Sequence, residues 1–475
     1  MSSFSAGRLV FAATKALGHI WSRLGCAMAM AAERVAASMC SRIRDSLVWW
    51  RIGYKEVVSS LRIRPAKRIA GEIHASPDKS ITHRALLLGS LAESESFIRN
   101  PLWAEDCRAM LQCLRNLGLR ADVDGPGLRL SPRPIQSPDV SLDCGNSGTA
   151  MRLLAGAVAS HHGVQATLMG DESLSQRPMR RVTEPLRQMG AEISGDTAPL
   201  TLIGRNLRGI EHDLTVASAQ VKSALLIAGL RADRTTVVRE PCQSRDHTER
   251  LLRSLGVGIR SAGGWTEVEP GPLPGFEIDI PGDFSSAAFW IVAATLLSDS
   301  ELIVQGLGTN PTRSGLLQVV HVSLENEREA LGEPIGDLVI QQPAKPKPFT
   351  IEGELVPLLI DEIPILAVLA TQLQGTSFFK DAAELRVKES DRIAATVAFL
   401  TKMGACITAT DDGMIIEGPT PLRGAVLDSQ GDHRIAMSQV IAGLVAEQDS
   451  VVNDVDCIAT SYPEFVKHLE KLVEY

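Results

Sequence analysis

Basic residues suited to holding anions stand inside short polar motifs that are far apart in the chain. They are Lys79 and Arg84 in PDKSITHR, Arg177 in QRPM, Lys222 in SAQVKS, Lys388 and Arg392 in LRVKESDR, and Arg434 in DHRIAM. The whole chain carries a net charge of -8, so it has no general affinity for polyanions. Cations gathered at glycine-, serine- and turn-rich points instead predict a focused site for a small, heavily charged anion.

Two of these motifs have the pattern of a helix start that faces an anion. Asp78 can cap a helix beginning at Lys79, so that the first N–H groups and the ammonium face one ligand. GNSGT, at 145–149, precedes the apolar stretch MRLLAGAVAS, and its small residues let backbone N–H groups point at one oxyanion. Taken singly, the first motif could equally be a solvated helix start, and GNSGT could be an ordinary tight turn.

Two further motifs place polar side chains on stiff or capped backbone. Arg177 stands before Pro178, which keeps it extended and suits bidentate capture of carboxylate or phosphate; a surface arginine is the alternative. Ser218, Gln220 and Lys222 open a very apolar helix, where they could hold an anion or serve as an ordinary N-cap.

Acidic residues next to these cations could transfer protons. Asp361 precedes IPILAVLATQLQG, which is apolar nearly all round and hence predicted to be a buried helix. Asp361 and Glu389 could act as acid or base, or merely complement a helix dipole or an arginine. Three histidines stand beside arginines, but without a partner Cys or His at ligand spacing, and we expect no metal site.

A repeated helix ending organises the elements that must position these residues. An amphipathic stretch ending in Leu or Met and then Gly recurs in CLRNLG, PLRQMG, LLRSLG and FLTKMG, with the glycines at 118, 190, 256 and 404. The last interval is about twice the others, and GLLQVVHVSLENERE, at 315–329, falls where the missing copy belongs but lacks the LG ending. FVKHLEKLVEY would be a sixth helix. Such a period predicts one α/β unit used several times.

The repeats predict two lobes with the site in the cleft between them. Three units precede Pro281-Gly282 and three follow it, so we expect lobe 1 to comprise 69–78 plus 283–475 and lobe 2 to comprise 79–282. Asp246 and Glu249 are spaced as a capping box, and Ser390 or Asp391 can cap the helix that runs to Gly404.

Residues 1–68 are predicted to be a separate basic extension that need not be ordered. They hold twelve Arg or Lys but only three acids. This composition is typical of a transit peptide and would imply a plastid. The interpretation that we favour is an upstream extension from a misassigned start, which would imply the cytoplasm.

Composition excludes several classes of protein. Aromatic residues make up 4%, so base-stacking platforms and a nucleic-acid partner are not expected. The eight cysteines are scattered without CxxC spacing, which indicates reduced thiols. No apolar run approaches membrane-spanning length, and nothing suggests an obligate interface, so we expect a monomer away from membranes.

Taken together, the motifs resemble one family, the enolpyruvylshikimate-phosphate synthases (3-phosphoshikimate 1-carboxyvinyltransferases). The resemblance runs from about Ile69 to the C-terminus through PDKSITHRALLLGSL, DCGNSGTAMRLLAG, GDESLSQRPMRRV, SAQVKSALLIAGL, DEIPILAVLA, ELRVKESDRI, DHRIAM and TSYPEF. The residues of these motifs are most similar to those of the bacterial class that includes glyphosate-tolerant forms. It implies an α/β (α+β) enolpyruvyl transferase fold, with three βαβαββ units in each of two lobes.

The resemblance also implies a reaction and a set of ligands. The family transfers the enolpyruvyl group of phosphoenolpyruvate to the 5-hydroxyl of shikimate 3-phosphate by addition and elimination, without a cofactor. The implied shikimate 3-phosphate ligands are Lys79, Ser80, Arg84, Ser218, Gln220, Asp361 and Lys388. The implied phosphoenolpyruvate ligands are Lys79, Asn146, Gly148, Arg177, Gln220, Arg392 and Arg434. The implied catalytic groups are Asp361, Glu389 and Lys79.

Departures from the family pattern leave alternatives open. SAQ stands where some relatives have SSQ, Thr460 stands where others have lysine, and only HVSL separates GLLQVV from ENERE, so we expect a weakened fourth repeat. The alternatives are a UDP-N-acetylglucosamine enolpyruvyl transferase, or a catalytically silent anion-binding paralogue. Gly148 leaves room for glyphosate, an inhibitor of this family, which predicts sensitivity.

Overall fold

A computed structural model of the chain describes residues 60–341 and 346–475. Most of the predicted basic extension therefore lies outside the described residues. Its predicted end at residue 68, however, lies inside folded structure. Ser60–Ile63 forms a strand that pairs antiparallel with Ser450–Asn453, and Ile63 is buried against the larger apolar cluster. Burial of Ile63 and the strand pairing draw these residues into the fold.

Helices and short strands alternate along the first half of the described chain. Their order is β1 (Ser60–Ile63), β2 (Arg68–His74), α1 (Lys79–Leu91), β3 (Ser96–Arg99), α2 (Glu105–Asn116), β4 (Arg120–Asp124), β5 (Gly127–Ser131), β6 (Leu142–Asp143), α3 (Gly148–Ala159), β7 (Gln165–Met169), α4 (Glu172–Gln176), α5 (Arg180–Gln188), β8 (Glu192–Ser194), β9 (Leu200–Ile203), β10 (Glu211–Asp213), α6 (Ala219–Gly229), β11 (Thr236–Arg239), α7 (His247–Ser254), β12 (Ile259–Ala262), β13 (Trp265–Val268) and β14 (Glu277–Asp279).

The second half continues the alternation. Its order is α8 (Phe284–Leu296), β15 (Glu301–Gly308), β16 (Ser323–Ala330), β17 (Glu333–Gln341), β18 (Thr350–Ile351), α9 (Leu355–Leu359), α10 (Ile363–Ala370), β19 (Gly375–Phe379), α11 (Arg392–Lys402), β20 (Cys406–Ala409), β21 (Met414–Gly418), β22 (Val426–Asp428), α12 (His433–Leu444), β23 (Ser450–Asn453), α13 (Phe465–Leu472) and β24 (Val473–Glu474). Short 3-10 helices span Gly315–Gln318, Ala383–Val387 and Val455–Thr460.

The strands form repeated sheets, as the sequence predicts. Four sheets share one pattern, in which an edge strand runs parallel to its neighbour and two antiparallel strands follow. They have the orders β14-β3-β5-β4, β6-β7-β9-β8, β10-β11-β13-β12 and β18-β19-β21-β20. The five-stranded sheet β16-β17-β15-β2-β24 adds one strand to that pattern, and β1-β23-β22 has three strands. Each sheet in the described chain therefore contains one parallel pair, the signature of a single α/β unit used repeatedly.

The four predicted helix endings are confirmed, and all have the same geometry. Gly118, Gly190, Gly256 and Gly404 have φ values of 116°, 109°, 78° and 93°. In the third copy the N–H of Gly256 donates to the carbonyl of Arg253, and the N–H of Val257 donates to that of Leu252. This 5→2 and 6→1 pair is a Schellman motif, in which glycine adopts the left-handed conformation without a Cβ penalty.

The fourth unit keeps its strands and its first helix, α8, but its second helix is reduced to one turn. Where the other units have a helix of two turns or more, Gly315–Gln318 forms one 3-10 turn. Leu316 and Val320 are still fully buried, and β16 and β17 pair over their whole length with one register shift. The short HVSL connection noted in the sequence therefore goes with a reduced helix and an intact sheet. The expected loss of stability stays a prediction.

Buried apolar residues form two large clusters. One holds residues between 81 and 280, and the other holds residues 63–75 together with 284–473. The chain passes between the two clusters twice, and the two crossing segments lie side by side. The N–H of Asp78 donates to the carbonyl of Pro281 at 2.8 Å, and the N–H of Asp283 donates to the carbonyl of Ser76 at 2.6 Å. Two cores joined at this crossover give the molecule two lobes with a cleft between them.

Candidate active site

The cleft between the two clusters encloses about 740 Å³ and is lined from both sides. Among the described residues, nine Lys or Arg side chains and six carboxylates line it, although the chain as a whole has a net charge of -8. Eleven residues with predicted roles line it: Lys79, Ser80, Gly148, Arg177, Ser218, Gln220, Asp361, Lys388, Glu389, Arg392 and Arg434. The geometry thus brings together motifs that are hundreds of residues apart.

Helix α1 presents Lys79 at its first position. Asp78 is the N-cap, and its side chain accepts from the N–H of Ile81 at 2.8 Å. The Lys79 ammonium donates to Asp106 at 3.0 Å. Burial lowers the pKa of Lys79, but the carboxylates of Asp106 and Glu389 outweigh burial and raise it. The side chain is therefore a fixed cation that can face an anion.

Helix α3 begins at Gly148, which has no side chain, and the guanidinium groups of Arg152 and Arg177 lie close to it. Ser147 is the N-cap. A Cβ added at Gly148 would lie 2.8 Å from Nη1 of Arg152 and 3.5 Å from Nη1 of Arg177. Only glycine therefore leaves this corner of the cleft open. Arg152 stands one helical turn after Gly148, a spacing from which its position could have been found.

Asn146 and Arg177 support one another at the edge of the cleft. The Arg177 guanidinium donates to the side-chain and main-chain oxygens of Asn146 and to Ser173. Asn146 lines an adjoining pocket rather than the cleft, and its amide donates to Asp171 at 2.6 Å. Asn146 is thus placed to orient Arg177, whereas Arg177 itself reaches the cleft.

Helix α6 contributes a hydroxyl and a held amide. Ser218 is its N-cap, as the sequence predicts, and its side chain accepts from the N–H of Val221. Gln220 accepts from Arg152 at 2.5 Å and donates to Thr149 at 2.9 Å. Because both ends of the amide are engaged, Gln220 presents a fixed orientation to the cleft.

Five charged side chains form an alternating ladder across the cleft. Its order is Arg245, Asp361, Arg392, Glu389 and Arg177, and the successive N–O distances are 2.6, 3.0, 2.6 and 3.4 Å. Arg245 and Arg177 come from the first cluster's side of the cleft, and the other three come from the second. The ladder therefore holds the two sides together through charges that an anionic ligand could compete for.

The two acids of the ladder are strongly ionised. Burial would raise the pKa of Asp361, but Arg245, Lys388, Arg434 and Arg392 together hold it well below its usual range. Burial would likewise raise the pKa of Glu389, yet Arg392 and Arg177 hold it well below. Both carboxylates are weak bases as they stand. Anions bound to the arginines would weaken this effect and raise both pKa values.

Arg392 and Arg434 are buried cations of the second cluster. Arg392 pairs with Asp432 at 2.8 Å in addition to the two acids of the ladder. Arg434 donates through Nη1 to the carbonyl of Ser285 at 2.7 Å, and its Nε has no hydrogen-bond partner among the described residues. Arg434 therefore has donor capacity left for a ligand, and Lys388 lines the same space.

Arg84 is not among the residues that line the cleft, and its contact with shikimate 3-phosphate stays a prediction. It is 2% exposed and donates to Thr248 at 2.7 Å, Ser223 at 2.8 Å and the carbonyl of Ser80 at 3.0 Å. The polar pocket that holds it comes from α6 and α7, which are far away in sequence. Arg84 therefore supports the backbone of Ser80 from behind.

Several cleft residues were missed in the sequence. They are Arg152, Arg181, Ser244, Arg245, Arg313 and His433. Arg313 is 3% exposed and binds Asp78, Asp283 and Ser80, all at 2.9–3.2 Å. It thus joins the N-caps of α1 and α8 at the crossover. Nothing in the local sequence reveals this, because its partners lie far along the chain.

One predicted capping box is wrong. Asp246 is the N-cap of α7, but its side chain makes no cap hydrogen bond and accepts instead from Arg250, Asn310 and Thr312. Asp391, by contrast, caps α11 as predicted, accepting from the N–H of Ala394. Tertiary partners outcompete the local cap at Asp246.

The described residues contain neither a candidate metal site nor a membrane-spanning helix. No group of three or more His, Cys, Asp or Glu residues in residues 60–341 and 346–475 could hold a metal ion. In the same part of the chain, no helix is both long enough and apolar enough to cross a membrane.

Comparison with known proteins gives a consistent result. The family model described as EPSP synthase (3-phosphoshikimate 1-carboxyvinyltransferase) matches residues 63–469. A 3-phosphoshikimate 1-carboxyvinyltransferase of Citrifermentans bemidjiense is 46% identical over 425 residues, covering 87% of this chain and 99% of its own. One from Synechococcus sp. is 47% identical over 433 residues, covering 87% and 96%. Among solved structures, an EPSP synthase from Acinetobacter baumannii matches with a TM-score of 0.78 at 38% identity, covering 88% of this chain and 98% of that one.

Proposed function

The chain belongs to the EPSP synthase family, and from that premise we propose how its cleft performs the family's reaction. The enzyme transfers the enolpyruvyl group of phosphoenolpyruvate to the 5-hydroxyl of shikimate 3-phosphate and releases phosphate, a step of the shikimate pathway. Each substrate carries a phosphate and a carboxylate, so the two repel one another. The observation that carries our proposal is the surplus of cations that both sides bring to one cleft.

We assign the two substrates to neighbouring parts of the cleft. Shikimate 3-phosphate takes the part lined by Lys79, Ser80, Ser218, Gln220, Asp361 and Lys388. Phosphoenolpyruvate takes the part lined by Lys79, Gly148, Arg177, Gln220, Arg392 and Arg434. The donor capacity of Arg434 and the open backbone at Gly148 support the second assignment. Arg84 acts through Ser80, and Asn146 acts through Arg177.

The ladder supplies the groups that move protons. Asp361 takes the proton of the 5-hydroxyl as its oxygen adds to C2 of phosphoenolpyruvate. Glu389 or Lys79 delivers a proton to C3, and the same carbon loses a proton when the tetrahedral adduct expels phosphate. Substrate anions that pair with Arg177, Arg245 and Arg392 free the two carboxylates and raise their pKa values, so the bases become active only when both substrates are bound.

Different observations disfavour the two alternative functions, a UDP-N-acetylglucosamine enolpyruvyl transferase and a catalytically silent paralogue. The relatives described above are named for the shikimate 3-phosphate reaction, which disfavours UDP-N-acetylglucosamine as acceptor. A catalytically silent paralogue would have no need for intact proton-transfer groups, and Asp361, Glu389 and Lys79 all line the cleft. We also propose that the chain acts as a monomer, since each assigned ligand comes from one chain; its mass by light scattering tests this.

A phosphate-release assay tests the proposed reaction. Purified protein should release phosphate when phosphoenolpyruvate and shikimate 3-phosphate are both present, and neither substrate alone should suffice. UDP-N-acetylglucosamine in place of shikimate 3-phosphate should give no release. Binding of both substrates by calorimetry without any release would establish the silent paralogue instead.

We propose in addition that glyphosate inhibits the enzyme at the phosphoenolpyruvate part of the cleft. A methyl at position 148 would push against the guanidinium group of Arg152 and come into contact with that of Arg177, and glycine leaves that space to the inhibitor. Gly148→Ala should therefore raise the inhibition constant for glyphosate about tenfold or more, the effect of a contact worth roughly 1.4 kcal/mol. The Michaelis constant for phosphoenolpyruvate should rise less. Wild-type turnover that is unaffected by glyphosate at subsaturating phosphoenolpyruvate would refute the proposal.

A further inference from the structure

Lys222, which belongs to a sequence motif that could hold an anion or serve as an ordinary N-cap, is buried behind the wall of the cleft. Its ammonium lies 2.7 Å from Glu240 and 2.7 Å from Glu249, and all three side chains are at most 4% exposed. A cation with two buried carboxylates at hydrogen-bonding distance has no donor directed at the substrates. Burial lowers the pKa of Lys222, and the two glutamates more than offset that and raise it, so the side chain stays charged.

Glu240 is the link between Lys222 and the cleft. Its Oε1 accepts from the N–H of Ser244 at 3.1 Å, and its Oε2 accepts from the Ser244 hydroxyl at 2.6 Å. The carbonyl of Ser244 lies 3.5 Å from the Lys222 ammonium. All three polar groups of Ser244 therefore face the Lys222–Glu240 pair. Hydrogen bonds to charged groups are the stronger ones, so this pair fixes the loop between β11 and α7.

The fixed loop carries side chains into the cleft. Ser244 and Arg245 both line it, and Arg245 donates to Asp361 at 2.6 Å. Because Arg245 directly follows Ser244, the position of the loop determines where the first guanidinium of the ladder starts. Glu249, on α7, also binds Lys222. Among the described residues it makes no hydrogen bond to Ser244, and its Oε2 has no hydrogen-bond partner.

We propose that Lys222 is a positioning residue of the transferase, which acts through Glu240 to hold the Ser244–Arg245 loop against Asp361 and so sets both acceptor affinity and the ionisation of the base. The proposal rests on the proposed function of the cleft. It gives a role to the buried cluster of Lys222, Glu240 and Glu249, none of which is assigned a contact with the substrates.

The two glutamates provide a matched pair of variants. Glu240→Gln and Glu249→Gln each remove one buried negative charge from the same ammonium, so a merely structural role predicts the same effect for both. Glu240→Gln should raise the Michaelis constant for shikimate 3-phosphate about tenfold, as expected for losing roughly 1.4 kcal/mol of binding. The constant for phosphoenolpyruvate should change less. Glu249→Gln should leave both constants near the wild-type values.

The pH dependence of turnover gives a second readout. A loosened loop withdraws Arg245 from Asp361, which raises the pKa of that carboxyl. The acid limb of the kcat/KM profile, which reports the free enzyme, should therefore move to higher pH in Glu240→Gln but not in Glu249→Gln. Glu240→Asp keeps the charge beside Lys222 and shortens the reach to Ser244, so it should behave like Glu240→Gln. It provides the test if Glu240→Gln does not fold.

The outcomes separate this inference from the proposed function. If the wild-type protein releases no phosphate, the proposed reaction fails, and calorimetric binding of shikimate 3-phosphate to the same variants still tests the loop. If the wild type is active and the Gln variants have equal Michaelis constants and equal acid limbs, Lys222 is structural only and the inference is wrong.

Discussion

Asp361 is held between two guanidinium groups, and this arrangement determines what removal of its charge should do. Arg245 and Arg392 both donate to it, so an amide at this position would leave two buried cations less compensated. The cleft would then attract anionic substrates at least as strongly as before, while the proton acceptor would be gone. Binding and turnover should therefore respond in opposite ways.

Asp361→Asn should lower kcat by about 10²–10⁴-fold, the usual range for a lost general base. Dissociation constants for both substrates should be unchanged or lower. Single-turnover kinetics and calorimetry measure the two quantities separately. Asp381→Asn removes another carboxylate that lines the cleft but accepts only from the N–H of Gly353 among the described contacts, so it should leave kcat nearly intact. A loss of affinity with normal kcat in Asp361→Asn would show that Asp361 only binds.

The sequence predicts part of this site. The rest could not be predicted, because it depends on contacts between residues that are far apart in the chain. Asp361, Glu389, Arg392 and Arg177 belong to motifs whose residue types indicate their chemistry, so four of the five members of the ladder were foreseen. Arg245 was not, because SRDHTER has the pattern of a helix start and its acid partner is 116 positions away.

Arg84 shows at the same scale what local spacing leaves out. Its spacing from Lys79 is compatible with a shared helix face, but the hydroxyls of Ser223 and Thr248 hold its guanidinium behind the cleft. Burial without a charge partner in contact lowers the pKa of Arg84 to about 10. Local spacing cannot reveal a pocket that two other helices supply.

At the scale of elements, the helix endings were predictable because their chemistry is local. A glycine after the last turn satisfies two orphan carbonyls within six residues, and the four copies share this geometry. The second helix of the fourth unit could be inferred to be weakened for the same reason, since its LG ending is absent. The survival of its strands depends on pairing with β15 and β2, which a local pattern does not predict.

Gly256→Ala tests the cost of the left-handed position alone. No atom of the described residues lies within 4 Å of a Cβ at Gly256, and φ there is 78°, so strain arises only from backbone conformation. The free energy of unfolding in urea should fall by about 1 kcal/mol. Gly271→Ala is the control, because its Cβ also meets nothing within 4 Å and its φ is not positive. Equal stability of the two variants would count against the Schellman interpretation.

At the scale of the whole molecule, acid should weaken the fold through buried neutral histidines. His83 is fully buried, with its ring nitrogens next to the carbonyl of Lys79 and the hydroxyl of Ser147. Burial, the largest cause, lowers its pKa to about 4. In the unfolded chain the histidine pKa is about 6.5, so between pH 6.5 and pH 4 the unfolded chain binds more protons than the folded one. The contribution of neutral, buried His83 to stability is therefore complete above pH 6.5 and is lost as the pH falls towards 4.

His83 should therefore account for about 3 kcal/mol of the stability lost between pH 6.5 and pH 4. His83→Gln should lower stability at pH 7 but should flatten the decline, as measured by urea unfolding at pH 7, 5.5 and 4.5. His162→Gln, at an exposed position, should keep the wild-type slope. A wild-type slope in His83→Gln would show that other groups cause the acid sensitivity.

The account as a whole depends on two lobes that bring scattered cations to one pair of anions. The six sheets and two apolar clusters support it at the level of architecture. The net charge of -8 disfavours non-specific binding of anions elsewhere. The lobe boundaries inferred at 78/79 and 282/283 stay a prediction, which the displacement of the lobes between free and bound crystals would test.

A crystal structure with shikimate 3-phosphate and a phosphoenolpyruvate analogue bound together tests the central claim most directly. We expect nitrogens of Lys79, Arg177, Lys388 and Arg434 at about 2.7–2.9 Å from phosphate or carboxylate oxygens, with Asp361 beside the 5-hydroxyl. Substrates bound outside this cleft, or those four side chains directed into solvent around an occupied cleft, would contradict it.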